Sequence, residues 1–299
     1  MEKIAREIAA KITGPVKRSV PLKNYTSIKI GGPADLFIEP QNISELAYVT
    51  ASLQKAGIPC FILGSGTNLL VHDRGYRGAV IRLGGEFKKY CFTGLQVVAG
   101  AAVPLPLLVG EACRRGLSGL EFAAGIPGTT GGALVMNAGA HGSSLGDLLV
   151  KAEIFSCSSQ EVHTYLPEEL ELSYRKSSIL PGQVVCSVTL QLEKRAMAEI
   201  SAVCEEFLQY RKIRQPLQPS AGSIFKNPPG GIAGRLIENA GLKGCRLGGA
   251  MVSDVHANFI VNFRQASSED VAKLIDMVRT EVAKKFGIKL ELEVRLLGY

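Results

Sequence analysis

The chain contains no tryptophan, and aromatic residues make up only 6% of its 299 positions. Proteins that bind nucleic acid stack bases on aromatic side chains beside a concentrated basic stripe. Here the net charge of +7 is distributed over separated basic pairs instead. We therefore expect no nucleic-acid partner, although the excess of positive charge favours an anionic ligand.

Cysteine and histidine are both too sparse and too scattered for a disulfide framework or a metal site. The seven cysteines form no C-x-x-C and no close pair, and the four histidines show no ligand-like spacing. Disulfide-rich domains and zinc sites need such spacings. We expect reduced cysteines in the core, no disulfide and no metal.

No uninterrupted apolar run is long enough to cross a membrane. The two uncharged stretches of sufficient length, residues 91–110 and 122–146, are broken by Gly, Pro and polar residues. The N-terminal MEKIAREIAAKITGP places Ile4, Ile8 and Ile12 on one face of a surface helix and lacks the apolar segment of a signal peptide. We expect a cytoplasmic protein without a membrane partner.

The length predicts two domains, and the element pattern predicts the α+β class. In the first domain we predict strands at IKI, DLFIE and PCFILG, the last one buried, and a helix from Ser44 as N-cap to Gly57. Short β-like runs follow as far as about Leu192. The second domain is predicted to hold helices at residues 197–210, 232–241 and 267–287 and a final strand in IKLELEVRL.

Glycines are dense in FAAGIPGTTGGALVMNAGAHG, residues 122–142. Such a loop can bind phosphate through backbone N–H groups, or it can be a tightly packed turn, and the residues alone leave both interpretations open. The earlier GSGTNL, residues 64–69, half matches a dinucleotide fingerprint but is followed by turn-like residues where a helix is required. No P-loop is present, and we interpret G-x-S-x-G at residues 142–146 as a chance match.

Two glycine-rich loops in a non-Rossmann α+β domain suit a long diphosphate cofactor. With these loops the sequence resembles the UDP-N-acetylenolpyruvoylglucosamine reductases (MurB), flavoenzymes of bacterial cell-wall synthesis. The resemblance runs over nearly the whole chain, through NYTSIKIGGPADLFIEP, ILGSGTNLLV, GLSGLEFAAGIPGTTGGALVMNAGAHG, SYRKSSIL, PSAGSIFKNP, AGRLIENAGLKG, HANFIVN and LEVRLLG.

The resemblance implies an FAD-binding domain of the vanillyl-alcohol oxidase and p-cresol methylhydroxylase type at residues 1–195, with subdomains of about 1–60 and 61–195. A C-terminal α+β substrate domain at residues 196–299 would follow, its last strand carrying a catalytic residue. FAD would be held non-covalently, since residues 64–69 and 125–132 contain no His, Cys or Tyr for a covalent link, although His72 and His141 lie close to them in sequence. The cofactor-binding residues implied are Gly64, Ser65, Gly66, Thr67, Asn68, Leu69, Gly125, Ile126, Pro127, Gly128, Thr129, Gly131, Gly132, Asn137, Ala138 and Gly139.

The reaction implied is reduction of UDP-N-acetylglucosamine enolpyruvate to UDP-N-acetylmuramate, with NADPH reducing FAD first and flavin N5 then delivering hydride. By motif, Arg175 in SYRKS would bind the substrate carboxylate, and Glu293 in LEVRLLG would act with it. Ser223 in AGSIFKNP would donate the proton. Without the resemblance these residues would be interpreted as a solvated turn arginine, an exposed strand residue and a turn serine.

Further substrate-binding residues implied by the motifs are Tyr174, Arg211, Arg214, Asn227, His256 and Asn258. For the basic residues, solvation explains the charge as well as a polyanionic substrate does. Ser223 and Glu293 are only seventy residues apart, which resembles the second class of the family, without an inserted substrate-covering segment. No obligate protein partner is evident. Two rival functions stay open: another flavoprotein of the same fold, and a nucleotide-sugar binding module without flavin.

Overall fold

The computed structural model describes every residue from Met1 to Tyr299. The chain forms seven α-helices and nineteen short strands, with brief 3-10 turns between them. The helices are α1 (Glu2–Ala9), α2 (Ile43–Lys55), α3 (Leu105–Arg114), α4 (Thr130–Val135), α5 (Met197–Arg214), α6 (Ala233–Asn239) and α7 (Ser268–Phe286). The strands are β1 (Val16–Pro21), β2 (Pro33–Ile38), β3 (Cys60–Ile62), β4 (Leu69–Val71), β5 (Tyr76–Ile81), β6 (Tyr90–Thr93), β7 (Gln96–Gly100), β8 (Leu117–Ser118), β9 (Gly139–Ala140), β10 (Ser143–Ser144), β11 (Leu149–Ser156), β12 (Glu161–Tyr165), β13 (Gln183–Gln191), β14 (Glu193–Lys194), β15 (Ser220–Ser223), β16 (Arg246–Leu247), β17 (Ala250–Val252), β18 (Phe259–Asn262) and β19 (Arg295–Leu297).

The chain divides into two compact units. The first unit consists of Met1–Arg18, Leu36–Ser65 and Gly78–Tyr210, and the second of Ser19–Asp35, Gly66–Arg77 and Arg211–Tyr299. The second unit therefore includes two segments from the N-terminal third of the sequence, whereas the sequence predicts one continuous boundary at residue 195.

The first unit is built on an antiparallel sheet in the order β12-β11-β13-β7-β6. Its alternating strands bury one face in the larger core, in which Phe155 and Val188 have no exposed surface. A second, four-stranded sheet has the order β1-β2-β5-β3. The short β-like runs predicted as far as about Leu192 are confirmed as β5, β7, β11, β12 and β13.

The second unit has a smaller antiparallel sheet in the order β15-β18-β17-β16, and α7 lies against β16 and β17. β19 pairs in parallel with β4, so that Arg295 lies opposite Leu69 and Leu297 opposite Val71. The core of this unit combines residues of α7 with Ile28, Ile30 and Leu70 from the N-terminal segments. Helix α7 is confirmed, with a Ser267 cap and a left-handed Gly287 end.

Several predicted elements are wrong in detail. IKI is not a strand, because Ile28 lies in a turn and Lys29 has a left-handed φ of 60°, while Ile28 and Ile30 fill the second core. The N-cap of α2 is Asn42 rather than Ser44, and its side chain accepts from Glu45 N. The strand in PCFILG exists, but it lies at a sheet edge and is not buried.

The final strand is also shorter than predicted. Only Arg295–Leu297 form a ladder, whereas IKLELEVRL predicts a strand beginning seven residues earlier. Glu293 consequently precedes the strand and does not belong to it.

The seven cysteines are all free thiols, but the prediction that they lie in the core is wrong for six of them, since only Cys186 is buried. Burial raises the pKa of Cys186 and of the half-buried Cys157 and Cys204 to about 11. These three thiols are therefore protonated and unreactive at neutral pH. No helix combines the length and apolar character needed to cross a bilayer.

Candidate flavin and substrate site

The two glycine-rich loops, some sixty residues apart in sequence, meet in the first unit. β3 ends at Ile62, and the chain turns so that Gly64 faces Thr129. A Cβ atom on Gly64 would lie 2.9 Å from Thr129 Oγ1, so only glycine allows this close approach. The first loop continues into Leu69 at the start of β4 rather than into a helix, which supports the rejection of a dinucleotide fingerprint.

Part of the second loop is the short helix α4. Thr129 is its N-cap, and its hydroxyl accepts from Gly132 N at 3.3 Å. Gly132 is exposed, and a Cβ atom there would meet only the Thr129 hydroxyl, at 3.4 Å. The backbone of α4 is therefore open to a ligand at Gly132.

Several backbone donors in the two loops have no partner. The N–H groups of Gly64, Ser65, Gly125 and Gly128 make no hydrogen bond within the chain. None of these four residues is buried, so their N–H groups are accessible, and a set of accessible backbone N–H groups in a loop is the chemistry that binds phosphate oxygens. These residues therefore fit the diphosphate of a dinucleotide cofactor, which supports the ligand interpretation of the glycine-rich loops.

Other glycines of the loops are required by protein packing and not by a ligand. A Cβ atom would lie 2.0 Å from the Tyr25 carbonyl oxygen at Gly66 and 2.7 Å from Ala101 Cβ at Gly131. At Gly139 it would lie 2.6 Å from the carbonyl oxygen of Ser143, across the β9–β10 pair. Packing within the protein therefore already requires glycine at these three positions, and their predicted contact with the cofactor stays a prediction.

The Arg175 turn is attached to the glycine-rich segment. Ser173 and Lys176 exchange backbone hydrogen bonds of 3.1 Å, so Tyr174 and Arg175 form a tight turn, with the Arg175 guanidinium 5.5 Å from the centre of the Tyr174 ring. Asn137 Nδ2 donates to Ser173 O at 3.0 Å. A second tether joins Ser177 Oγ to the carbonyl of Val135 at 2.8 Å, at the end of α4.

The side chain of Asn137 holds two neighbouring backbone segments in place. It is buried with a φ of 39°, and its Oδ1 accepts from Gly146 N at 2.9 Å while Nδ2 holds Ser173. Both ends of its side-chain amide are therefore bonded to the protein, and its main-chain N–H donates to Leu134 O at 2.9 Å. The neighbouring Ile126 is held by a bond from its N–H to Ala123 O.

Ser223 and Glu293 lie on adjacent backbone segments of the second unit. Ser223 ends β15, after a bulge in its pairing with β18 that coincides with Gly222 at a φ of 75°. The N–H of Glu293 donates to the carbonyl of Ile224 at 2.8 Å. The next residue, Phe225, bridges Leu292. The structure thus brings together two predicted catalytic residues that are distant in sequence.

Asn227, Asn258 and His256 support the Ser223 segment. Asn258 is buried, and its amide makes two bonds to the backbone of Phe225, donating to O at 2.8 Å and accepting from N at 3.0 Å. The Asn258 side chain is thus bonded to the main chain at Phe225, and its predicted contact with the substrate stays a prediction. Asn227 Oδ1 accepts from Ala233 N at 3.0 Å, which caps α6.

His256 is held beside this segment in a neutral form. Its Nδ1 accepts from Asn258 N at 3.2 Å, and its ring meets Phe259 edge to face. Burial lowers the pKa of His256 below the ordinary 6.5. The imidazole is therefore uncharged at neutral pH and keeps Nε2–H as its donor.

Arg211 and Arg214 occupy the last turn of α5 together with Lys212. Basic side chains at that position complement the carbonyl end of a helix. The structure therefore gives this cluster a local electrostatic role besides any role in binding.

Sequence reasoning missed Thr129, Ser177 and Ser27 as residues that fix the loops. Ser27 Oγ donates to Ser220 O at 2.6 Å, and its N–H donates to Gly66 O at 3.0 Å. A Thr directly before a short helix, three residues ahead of the N–H that its hydroxyl accepts from, is an N-cap signal that points to Thr129. Nothing in the periodicity of the sequence indicates the other two.

The loops with unpaired amides define a flavin-binding protein of the α+β class, since residues 34–165 match the family model of an FAD binding domain. Residues 214–297 match the model of the UDP-N-acetylenolpyruvoylglucosamine reductase C-terminal domain. The predicted order of an FAD-binding domain and a C-terminal domain is thereby confirmed.

Full-length relatives agree with these matches. A UDP-N-acetylenolpyruvoylglucosamine reductase 2 of Symbiobacterium thermophilum is 45% identical over 96% of this chain and 93% of its own. The reductase of Bacillus subtilis is 41% identical over 100% of this chain and 99% of its own. The crystal structure of the MurB reductase from Thermus caldophilus superposes with a TM-score of 0.84 and 44% identity, covering 95% of this chain and 99% of that one. The chain belongs to the UDP-N-acetylenolpyruvoylglucosamine reductase family.

Proposed function

We propose that this protein reduces UDP-N-acetylglucosamine enolpyruvate to UDP-N-acetylmuramate, a step in peptidoglycan precursor synthesis, with FAD as cofactor and NADPH as electron donor. The main support for the proposal is that this chain is at least 41% identical, over nearly its full length, to relatives named as this reductase. Such similarity over both domains covers the segments of Arg175, Ser223 and Glu293 together. A shared FAD-binding domain alone would not indicate the substrate.

FAD would be held by backbone groups of the two loops. The unpaired N–H groups of Gly64, Ser65, Gly125 and Gly128 offer donors for the diphosphate, and the open backbone at Gly132 admits close contact. The cofactor supplies hydride chemistry that no side chain of the protein can supply. Residues 64–69 and 125–132 contain no His, Cys or Tyr that could form a covalent flavin link.

Arg175 would bind the carboxylate of the enolpyruvyl group. A guanidinium presents paired donors that match a carboxylate, and it remains charged at any working pH. Its turn is tethered at Ser173 and Ser177 to the glycine-rich segment of the same unit. Two tethers on either side of a short turn restrict the directions in which the guanidinium can point.

Ser223 would donate the proton that completes the reduced carbon, and Glu293 would act beside it. Negative charge develops on the substrate as hydride arrives, so a donor aimed at that charge lowers the barrier. Glu293 is best suited to this role when it carries or shares a proton. The bond from Glu293 N to Ile224 O keeps the two segments in register.

Arg211, Arg214 and Asn227 would contact the UDP diphosphate, and Tyr174 and His256 would contribute weaker substrate contacts. Arginine is the side chain best matched to phosphate oxygens. A neutral His256 can donate through Nε2–H without adding charge.

The test is substrate-dependent consumption of NADPH by the purified, flavin-loaded protein. Oxidation of NADPH that begins only when the enolpyruvyl substrate is added is the expected result. Oxidation with other acceptors but not with this substrate would favour another flavoprotein of the same fold. A colourless protein that binds the nucleotide sugar but no FAD would favour a binding module.

A further inference from the structure

We propose that Asn68 is a positioning residue whose side-chain amide fixes the main chain at Glu293, and thereby the direction of the Glu293 carboxylate beside the Ser223 segment. The proposal rests on the proposed function and adds to it. The resemblance placed Asn68 among the cofactor-binding residues of its loop. The structure assigns its side chain to a different task.

The bond that carries this inference joins Asn68 Nδ2 to the carbonyl oxygen of Glu293 at 2.9 Å. In return, Arg295 N donates to Asn68 O at 3.1 Å. Asn68 therefore contacts the chain on both sides of Val294. The side-chain amide and the backbone carbonyl of Asn68 thus make the two hydrogen bonds that a neighbouring strand would otherwise make with this segment.

Glu293 needs such a partner because it lies outside any ladder. The β4–β19 pairing begins only at Leu69 and Arg295. On its other side the N–H of Glu293 is bonded to Ile224 O. With Asn68 on the carbonyl and Ile224 on the N–H, both backbone groups of Glu293 are fixed. The orientation of the peptide that carries the carboxylate is then fully determined.

The same loop is also attached to the Ser223 strand. Gly66 O accepts from Ser27 N, and Ser27 Oγ donates to Ser220 O at 2.6 Å, at the start of β15. Residues 66–68 are thus connected to both segments that hold a predicted catalytic residue. A shift of this loop would move the carboxylate and the hydroxyl relative to each other. A misplacement of about 1 Å costs about 10²-fold in rate.

The test compares Asn68→Asp and Asn68→Ala with matched variants of Asn262. Asn262 is half-buried in the same unit, and its Nδ2 donates to a loop carbonyl, that of Ile28, at 3.1 Å. It contacts neither the Glu293 segment nor residues 223–225 in the hydrogen-bond network. Asn262→Asp and Asn262→Ala therefore remove an equivalent amide bond elsewhere.

The first measurement is amide hydrogen exchange of the peptide covering residues 292–297. Loss of the Asn68 amide leaves the Glu293 carbonyl unpaired, so we expect exchange about fivefold faster or more in both Asn68 variants. The Asn262 variants should leave this peptide unchanged. This measurement requires no activity, so it tests the positioning role even if the enolpyruvyl substrate does not oxidise the reduced wild-type enzyme. In that case only the proposed function fails.

The second measurement is the ratio of the two half-reaction rates in stopped flow. We expect the rate with the enolpyruvyl substrate to fall about 10- to 100-fold relative to the rate with NADPH in the Asn68 variants, and the ratio to stay at the wild-type value in the Asn262 variants. For Asn68→Asp the ratio should recover only as the pH falls to about 4, near the ordinary pKa of an aspartate, because a protonated carboxyl regains a donor for the Glu293 carbonyl. Asn68→Ala cannot recover in this way.

Two results would overturn the proposal. Unchanged exchange in residues 292–297 would mean that Asn68 does not hold Glu293. Equal slowing of both half-reactions, with loss of bound flavin, would mean that Asn68 acts on the cofactor alone.

Discussion

Two adjacent glycines of α4 have different surroundings, although the sequence treats them alike. A Cβ atom at Gly131 would lie 2.7 Å from Ala101 Cβ, in a position where Gly131 N already donates to Ala101 O. At Gly132 it would find open space apart from the Thr129 hydroxyl. Gly131 is therefore required by the fold, and Gly132 is the position that reports on a ligand.

Gly132→Ala should lower FAD affinity without lowering stability. Alanine is a better helix residue than glycine by about 0.5–1 kcal/mol, and its Cβ has room in the protein itself. The methyl group would occupy space that we expect the cofactor to fill beside the backbone of α4. A flavin titration and the Tm of the cofactor-free protein measure the two effects separately. Unaltered FAD affinity would show that α4 does not face the cofactor.

Gly131→Val should instead destabilise the fold, by about 1–3 kcal/mol, through overpacking against Ala101. From the sequence alone a branched residue here is expected to empty the flavin site more than it unfolds the protein, and the contact with Ala101 reverses that order. Denaturant unfolding of the cofactor-free protein measures the loss. A Tm equal to that of the wild type would contradict the packing role.

Ser223→Ala should separate the two half-reactions. The change removes one hydroxyl from a half-buried residue at the end of β15, so folding should be little affected. Reduction by NADPH requires no proton from this residue, whereas reaction with the enolpyruvyl substrate loses its general acid and should slow about 10²–10⁴-fold. Stopped-flow absorbance of the flavin follows each step.

Ser220→Ala is the matched control, three residues earlier on the same strand, and should leave both rates near those of the wild type. Equal slowing of both steps in Ser223→Ala would indicate damaged flavin binding. If neither half-reaction is slowed in Ser223→Ala, Ser223 has no role in the mechanism.

At the scale of elements, the alternation in IKLELEVRL predicts burial correctly as far as Val294 but fails at Leu296, which is 41% exposed. It also predicts the hydrogen bonding incorrectly. Leu290 and Val294 are buried in the second core, as the pattern requires. The chain between them bonds instead to single positions of the 223–226 segment, such as Lys226 N to Glu291 O. Periodicity records which side chains face a core, but it does not record whether a neighbouring strand is present.

The start of α7 provides a pH-dependent element. Burial alone raises the pKa of Asp270, but hydrogen bonds from Ser267 and Gly249 more than offset it, so the pKa lies below 3.8. A lowered carboxyl pKa stabilises the fold above the unfolded value, and this stability is lost as the pH falls through the folded value. The stabilisation should therefore be complete at neutral pH and decrease below about pH 4.

Asp270→Asn should lower the free energy of unfolding by about 1 kcal/mol at pH 7, the usual worth of a helix cap on a half-buried residue. The difference from the wild type should shrink below about pH 4, where the wild-type carboxylate is protonated. Urea unfolding at pH 7 and pH 3.5 measures both values. A difference independent of pH would mean that the charge of Asp270 contributes nothing to the cap.

At the scale of the whole molecule, the candidate site is only partly predictable from the sequence. Composition and periodicity predict the α+β class and most elements. From them alone, Arg175, Ser223 and Glu293 would be predicted to be ordinary surface residues. The three gain their roles only through motifs shared with a family. The pairing of Ser223 with Glu293 depends on backbone bonds between residues seventy positions apart, which no local pattern encodes.

The bound flavin should be released by acid. The two histidines nearest the loops in sequence are engaged in the protein: His141 stacks on Phe207 at 3.7 Å between ring centres, and His72 Nδ1 accepts from Arg74 N. We therefore expect the yellow colour to remain in the supernatant after acid precipitation. Colour that stays with the precipitate would indicate a covalent link.

The second unit is assembled from segments that are distant in sequence, and this bears on the predicted substrate domain at residues 196–299. That fragment lacks β4, the only partner of β19, and it lacks Ile28, Ile30 and Leu70, which are almost completely buried in the second core. Loss of large buried side chains costs about 2–5 kcal/mol each, which is comparable to the net stability of a small domain. We expect the isolated fragment to show no cooperative unfolding transition by circular dichroism, with the full chain as reference. A sharp transition in the fragment would mean that the continuous domain predicted from the sequence folds without the N-terminal segments.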